Sequence, residues 1–320
     1  MADVGCAGVL VADTFCGPMR QWPDEGQLLA VDDLPAKAGG CAANVAIDLA
    51  KQGLKVDVCG CVGADPSAEV LLQSLAQAGV DCRQIRRLAS HPTSKTVILL
   101  IQGEDRRYIH AFGANAAFGV DQIQREWLDQ LKVFYLGGLL ALPGIQLDKL
   151  AEVFQYCRQR EIVTVVDVVV PQNVAGMEAL TPLLPYVDYF LPNDDEASRL
   201  TGCHNVEQQL ATLLQHGVRT AIITQGAAGA VAASGRDRWR VAAHRVACLD
   251  PSGSGDAFAA GIVCGIVRRW DVPRMLRYAA ALGASATRAV GTTDGVFFAA
   301  DAERYLTEHP LPVVQARSSE

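Results

Sequence analysis

Seven residues, Asp250-Pro251-Ser252-Gly253-Ser254-Gly255-Asp256, run straight into an apolar stretch at 257–263. Gly253 and Gly255 flank one small residue, Ser254, where a helix is expected to begin. Glycine accepts backbone angles that other residues resist, so this loop can turn several N–H groups toward one point. The start of a helix adds its own unpaired N–H groups and the positive end of its dipole. The pattern predicts an anion hole built from Gly253, Ser254 and Gly255, with the Asp256 carboxylate at its lip. Phosphoryl transfer to an alcohol requires both parts. A base takes the alcohol proton, and donors hold the charge on the moving phosphoryl group.

Four further places have residue types that could serve such a reaction. In Ala38-Gly39-Gly40-Cys41-Ala42-Ala43-Asn44, two glycines let backbone approach a polyhydroxy ligand closely, and the Asn44 amide can donate to and accept from hydroxyls. A turn that merely packs a strand against a helix has the same pattern. Asp13, near the end of the first apolar run, can accept from two hydroxyls or be a solvated turn residue. In Pro192-Asn193-Asp194-Asp195-Glu196, Asn193 and Glu196 are three apart and share one side of a helical turn. An amide plus a carboxylate suits a hydrated Mg2+ on a triphosphate; a helix-capping box is the alternative. Finally, Thr224-Gln225-Gly226-Ala227-Ala228-Gly229 offers a hydroxyl and two glycines to a nucleotide passing close to backbone, or forms a plain turn.

These loops need elements to hold them. Strand-like runs are expected at 4–11, 56–62, 133–136, 163–166, 189–191 and 221–224. Helical periodicity is expected at 44–52, 68–78, 147–159, 207–215, 257–267 and 273–288. Such alternation predicts an α/β fold: a doubly wound, mostly parallel sheet flanked by helices, with ligands beyond the carboxyl ends of the strands. Two segments break the rhythm. Residues 14–37 are rich in Gly, Pro and Asp, and 95–112 reads as a hairpin with strands at 96–101 and 107–111. Together they are expected to form a small β lid that excludes water. The division is then core at 1–12, 38–94 and 113–312, lid at 13–37 and 95–112, and a C-terminal tail at 313–320.

Composition narrows the field. The chain has 320 residues, half of them hydrophobic, with a net charge of -7. An acidic surface disfavours nucleic acid as a partner. No apolar run reaches the roughly 18–20 residues that cross a bilayer, and the N-terminus carries an acid with no basic region, so a cytoplasmic location is expected. Ten cysteines lack metal-binding spacing and read as small apolar residues in a reducing compartment.

The order Asp13, Gly39-Gly40-x3-Asn44, Asn193-x2-Glu196, Thr224-x-Gly226-x2-Gly229, Asp250-x2-Gly253-x-Gly255-Asp256 resembles the ribokinase-like carbohydrate kinases of the phosphofructokinase B type. The resemblance implies an ATP-dependent sugar kinase with Asp256 as catalytic base and Gly253, Ser254 and Gly255 as the hole for the γ-phosphate. It implies sugar contacts at Asp13, Gly39, Gly40 and Asn44, and nucleotide contacts at Asn193, Thr224, Gly226 and Gly229. Glu196 would face Mg2+ through water, and Asp250, Ser252, Ala286 and Gly291 fall where relatives often bind K+. The acceptor would be a hydroxyl, expected to be primary, of a small sugar or related polyol. The lid matches a clasp that often pairs two subunits, hence a homodimer. This sequence departs from the family at Pro251, at Ser254 and at Cys41, which stands where a lysine is frequent. An arginine expected of sugar-acid kinases is missing from Asp167-Val168-Val169-Val170-Pro171. Two other readings are a nucleoside kinase on the same scaffold, with Phe15, Met19 and Trp22 over a base, and a sugar-binding protein without catalysis. A dinucleotide dehydrogenase is disfavoured because Gly5-Cys6-Ala7-Gly8 lacks the required glycine spacing.

Overall fold

Neighbouring residues of the short apolar runs part company across one sheet. Val133 and Tyr135 enter one core, while Phe134 and Leu136 enter another. This period of two, with both faces buried, marks a central sheet covered on each side. The computed structural model describes residues 2–171 and 176–317. Its strands are β1 (Val4–Gly8), β2 (Val11–Met19), β3 (Ala36–Gly39), β4 (Val56–Gly63), β5 (Asp81–Leu88), β6 (Lys95–Ile101) and β7 (Arg107–Ala111). There follow β8 (Val133–Gly137), β9 (Val163–Val166), β10 (Tyr189–Phe190), β11 (Thr220–Thr224), β12 (Ala230–Ser234), β13 (Asp237–Val241) and β14 (Val313–Arg317).

The large sheet has the order β14-β13-β12-β11-β10-β9-β8-β1-β4-β5. It is parallel from β5 to β11, and β12 to β14 are added antiparallel. Sequence order runs one way from β1 through β4 and the other way from β8 onward. The switch point therefore lies between β1 and β8, where a crevice opens at the carboxyl ends. Helices α1 (Cys41–Lys51), α2 (Pro66–Gln77), α7 (Ser254–Val267), α8 (Val272–Ala286) and α9 (Ala299–Glu308) contribute to one core. Helices α3 (Arg125–Leu128), α4 (Leu147–Gln159), α5 (Asp194–Thr201) and α6 (Val206–Gln215) contribute to the other.

The second sheet, β3-β2-β6-β7, has four strands. Its apolar clusters are thin: Phe15, Ile98 and Leu100 on one face, Met19, Leu99 and Ile101 on the other. The end strand β7 is exposed along its whole length.

Several expectations change. The run at 4–11 is not one strand. Gly8 turns the chain at φ 132°, where a Cβ would overlap the Gly137 carbonyl. Leu10 is then clamped on both its N–H and its carbonyl by the buried Asn115 side chain. β2 starts at Val11 in the small sheet, so Asp13 lies in a strand, paired with Lys37 and Thr96. Residues 313–317 of the expected tail form β14, because Val313 and its neighbours complete the ladder of β13; residues 318–320 lie outside those described. Strands β5, β12 and β13 and helix α9 were not expected.

Candidate active site

Helix α7 is buried on every side from Ala257 to Gly265. Gly261 packs directly on the backbone of Ala279 in α8, so the helix start is fixed with respect to the sheet. Gly253 caps it in the left-handed conformation at φ 75°, where a Cβ would overlap the Thr292 carbonyl. The first N–H groups of a helix have no intrahelical acceptor, so the turn Gly253–Asp256 presents donors outward. Nothing stands within 4 Å of a Cβ placed at Gly255. The buried Asp250 shapes the loop: its carboxylate accepts from Ser252 N at 2.9 Å and from Gly291 N at 3.0 Å. Ser252 Oγ is buried with no hydrogen-bond partner among the described residues. Ala286, the last residue of α8, turns its carbonyl toward Gly295.

Asp256 lies in the first turn of α7, partly buried. Burial raises its pKa, while hydrogen bonds from Asn44 and Cys41 and the charge of Arg106 oppose the rise. Asn44 Nδ2 donates to Asp256 Oδ2 at 2.7 Å, and Asn44 Oδ1 accepts from Thr292 Oγ1 at 2.8 Å. The amide expected to meet sugar hydroxyls thus also orients the carboxylate. Cys41, Asp167 and Asp256 each place a ligand-type atom within 4.8 Å of the others. Asp167 accepts from the Tyr135 hydroxyl at 3.1 Å. Its carboxyl is pushed well above the usual range, first by burial and then by the nearby Glu196 and Asp256.

Asp13 is 5% exposed and its carboxylate lies against Gly39, where any Cβ would overlap it. Burial pushes its carboxyl up to about 7, against the lowering effect of the Thr96 hydroxyl. Gly40, at φ 87°, caps α1 close to the Val9 carbonyl. Asp13, Gly39, Gly40 and Asn44 therefore stand together on the lid side of Asp256. Asn193 and Glu196 form a reciprocal capping box on α5, with Glu196 N to Asn193 Oδ1 at 2.8 Å and Asn193 N to Glu196 Oε2 at 2.9 Å. The capping box is therefore present, and burial pushes the Glu196 carboxyl up to about 7. Asn193 bridges to Thr224 beside it. A cleft of about 710 Å3 joins Asn193, Thr224, Gly226 and Gly229 to Pro251, Ser254 and Gly255, walled by 243–246 and by Ala280, Gly283 and Thr287. Such a volume accommodates a nucleotide-sized ligand.

Phe15 and Met19 are buried in the two lid clusters, whereas Trp22 is 52% exposed. Asp167 and Thr292 join the site without having been expected there, and Arg106, a lid residue that could meet a sugar acid, lines the cleft beside the anion loop. Asp167 left a trace, since it interrupts the apolar run at 162–170.

A ribokinase of Haemophilus influenzae is 24% identical over 278 residues, which is 85% of this chain and 88% of that one. An Arabidopsis thaliana ribokinase solved with ribose and ATP superposes with a TM-score of 0.81 at 22% identity, covering 95% of this chain and 98% of that one. An Escherichia coli protein solved with ATP and Mg2+ gives a TM-score of 0.82 at 21% identity, covering 97% of this chain and all of that one. These superpositions show a shared fold. The pattern of the pfkB family carbohydrate kinases matches residues 9–297, nearly the whole length in which the loops above are found, and the chain belongs to that family.

Proposed function

We propose that this ATP-dependent sugar kinase transfers the γ-phosphoryl group of ATP to a primary hydroxyl of a small sugar or related polyol, with Asp256 as the base. The observation that carries the assignment of the base is the Asp256 carboxylate: it sits one turn into α7, beside donors with no intrahelical acceptor, and is aimed by Asn44. In this reading Asp13, Gly39, Gly40 and Asn44 hold the sugar. Asn193, Thr224, Gly226 and Gly229 line the nucleotide's path, and the N–H groups of Gly253, Ser254 and Gly255 receive the moving phosphoryl group. The acceptor O–H gives its proton to Asp256 as its oxygen bonds to phosphorus. The lid closes over this site and keeps water out.

Glu196 and Asp167 are half-buried carboxylates with raised pKa, and oxygen donors of this kind fit Mg2+. When bound there, the ion would neutralise phosphate charge. Asp250, Ser252, Ala286 and Gly291 form a second oxygen-rich corner, where the unpartnered Ser252 Oγ favours a monovalent cation such as K+. The exposed end strand β7, with Ile109 61% exposed, supports a homodimer through that edge. No helix among the described residues is long and apolar enough to cross a membrane, which is compatible with the expected cytoplasmic location.

The test is Asp256→Asn, measured by ADP release on a panel of hexoses, pentoses and nucleosides, with and without K+. Turnover is expected to fall by about 10²–10⁴ with the fold unchanged by circular dichroism. A variant that still turns over at near wild-type rate would refute the assignment of the base. The panel also separates a sugar from a nucleoside acceptor, and wild-type turnover itself distinguishes a kinase from a silent binder.

A further inference from the structure

Arg106 stands at the tip of the β6–β7 hairpin, one residue before β7, yet it lines the same cleft as Pro251, Ser254 and Gly255. We propose that Arg106 is a second catalytic residue, an arginine carried by the lid to the phosphoryl group in flight. The inference rests on the kinase reading above and adds a cation to it.

Three observations place this guanidinium. It lines the cleft with Ser254 and Gly255, which precede Asp256 in the first turn of α7, and its charge lowers the Asp256 pKa. The other arginine lining the cleft, Arg245, belongs to the 243–246 wall. Carboxylates at Asp167, Asp194, Glu196 and Asp256 gather around the route of a polyanionic nucleotide, which calls for a compensating cation.

Arg106 is also free to be recruited. Its ion pair is with Asp105, the adjacent residue, at 3.0 Å, and that carboxylate is 80% exposed. Exposed pairs of this type contribute little, so a phosphate can displace it. Its orientation comes from Tyr108, whose ring lies 5.6 Å from the guanidinium carbon and whose hydroxyl accepts from Arg106 Nε. Nε is thereby engaged, and the remaining N–H groups of the fork are left for phosphate oxygens.

In the reaction the acceptor oxygen bonds to phosphorus and its proton passes to Asp256. The bond from phosphorus to the β-phosphate oxygen breaks, and its electron pair stays on ADP. Negative charge thus grows on the β–γ oxygen and on the three equatorial oxygens. A planar fork can hold two of these at once, which a lysine cannot.

The test uses Arg106→Ala, Arg106→Lys and Tyr108→Phe in the full chain, with the sugar giving the fastest ADP release in the panel. Arg106→Ala is expected to lower kcat on the order of 10²–10³, with KM for the sugar within about threefold of wild type. Affinity for ADP with aluminium fluoride and the sugar should fall by a similar factor, while affinity for ADP alone is nearly unchanged. Added guanidinium should restore part of the rate to Arg106→Ala and none to wild type. Tyr108→Phe should cost about tenfold, as a lost hydrogen bond to a charged group does. Either of two results overturns the proposal: Arg106→Ala with kcat within threefold and unchanged affinity for the aluminium fluoride complex, or an equal loss of affinity for ADP alone. Both leave the base assignment standing, because that depends on Asp256→Asn in the same assay.

Discussion

The start of α7 and the tip of the lid hairpin face one cleft, but they are built in opposite ways. Around α7, every residue from Ala257 to Gly265 is buried, and glycines let helices and backbone meet without side chains between them. In the lid, the apolar clusters hold three buried residues each, and one whole strand is exposed. In the proposed mechanism the rigid part would place charge-stabilising groups that must not move, and the thin part would supply groups that must arrive. Local stability follows the density of buried apolar contacts, so the hairpin is expected to exchange its amide protons long before α7 does.

A pair of glycines probes that contrast most sharply. Gly253 and Gly103 both have φ between 75° and 81°, so alanine is strained at either place by about 1–2 kcal/mol. Only at Gly253 does the added Cβ strike backbone; at Gly103 nothing lies within 4 Å. Gly253→Ala should therefore abolish turnover and lower Tm by more than strain alone, which amounts to about 2–4 °C per kcal/mol for a chain of this class. Gly103→Ala should keep kcat within about threefold. Equal losses in kinetics and calorimetry for the two variants would erase the distinction.

A smaller effect concerns Asp13, on the seam between the regions. Its carboxyl titrates at about 7 when folded and at an ordinary carboxylate value when unfolded. Between those values the folded chain holds a proton that the unfolded chain has released. Stability from this group is therefore full below the unfolded value, falls as pH rises toward 7, and is level above it. Denaturant titrations of wild type and Asp13→Asn should diverge across that window, with the variant gaining in relative terms. Parallel curves would mean that Asp13 is not buried as described. The smallest expected change is at Ile109, 61% exposed on the outer strand. If the proposed clasp pairs two copies, Ile109→Lys should shift the mass in solution from dimer to monomer and lower Tm only by what the pairing supplied. A monomeric wild type would remove the clasp from the account.

The contrast also governs what the sequence could convey. The loops around Asp256, Gly39-Gly40, Asn193 and Thr224 are local turns whose glycines and caps lie within a few residues, so spacing alone located them. Asp167 reaches the site only because β9 lies two strands from β1 in the sheet, and no local pattern reports that. Thr292 comes 248 residues after its partner Asn44. Strand β5 escaped because Arg83, Gln84, Arg86 and Arg87 on a sheet edge hide its period. The break after Gly8 was hidden by an unbroken apolar run that serves two sheets in turn.

The amide of Asn44 has no freedom to rotate end for end. One end must give to Asp256 Oδ2, and the other must take from Thr292. With Asn44 on Oδ2 and Cys41 also hydrogen-bonded to the carboxylate, few directions are left to an incoming alcohol. A polyol offers several chemically similar hydroxyls, and a one-sided base can deprotonate only the one whose oxygen lines up. In the proposed mechanism regiochemistry would then depend on a side chain that never touches phosphorus, and an Asn44→Ala enzyme is expected to yield a mixture of phosphate esters where the native one yields a single isomer.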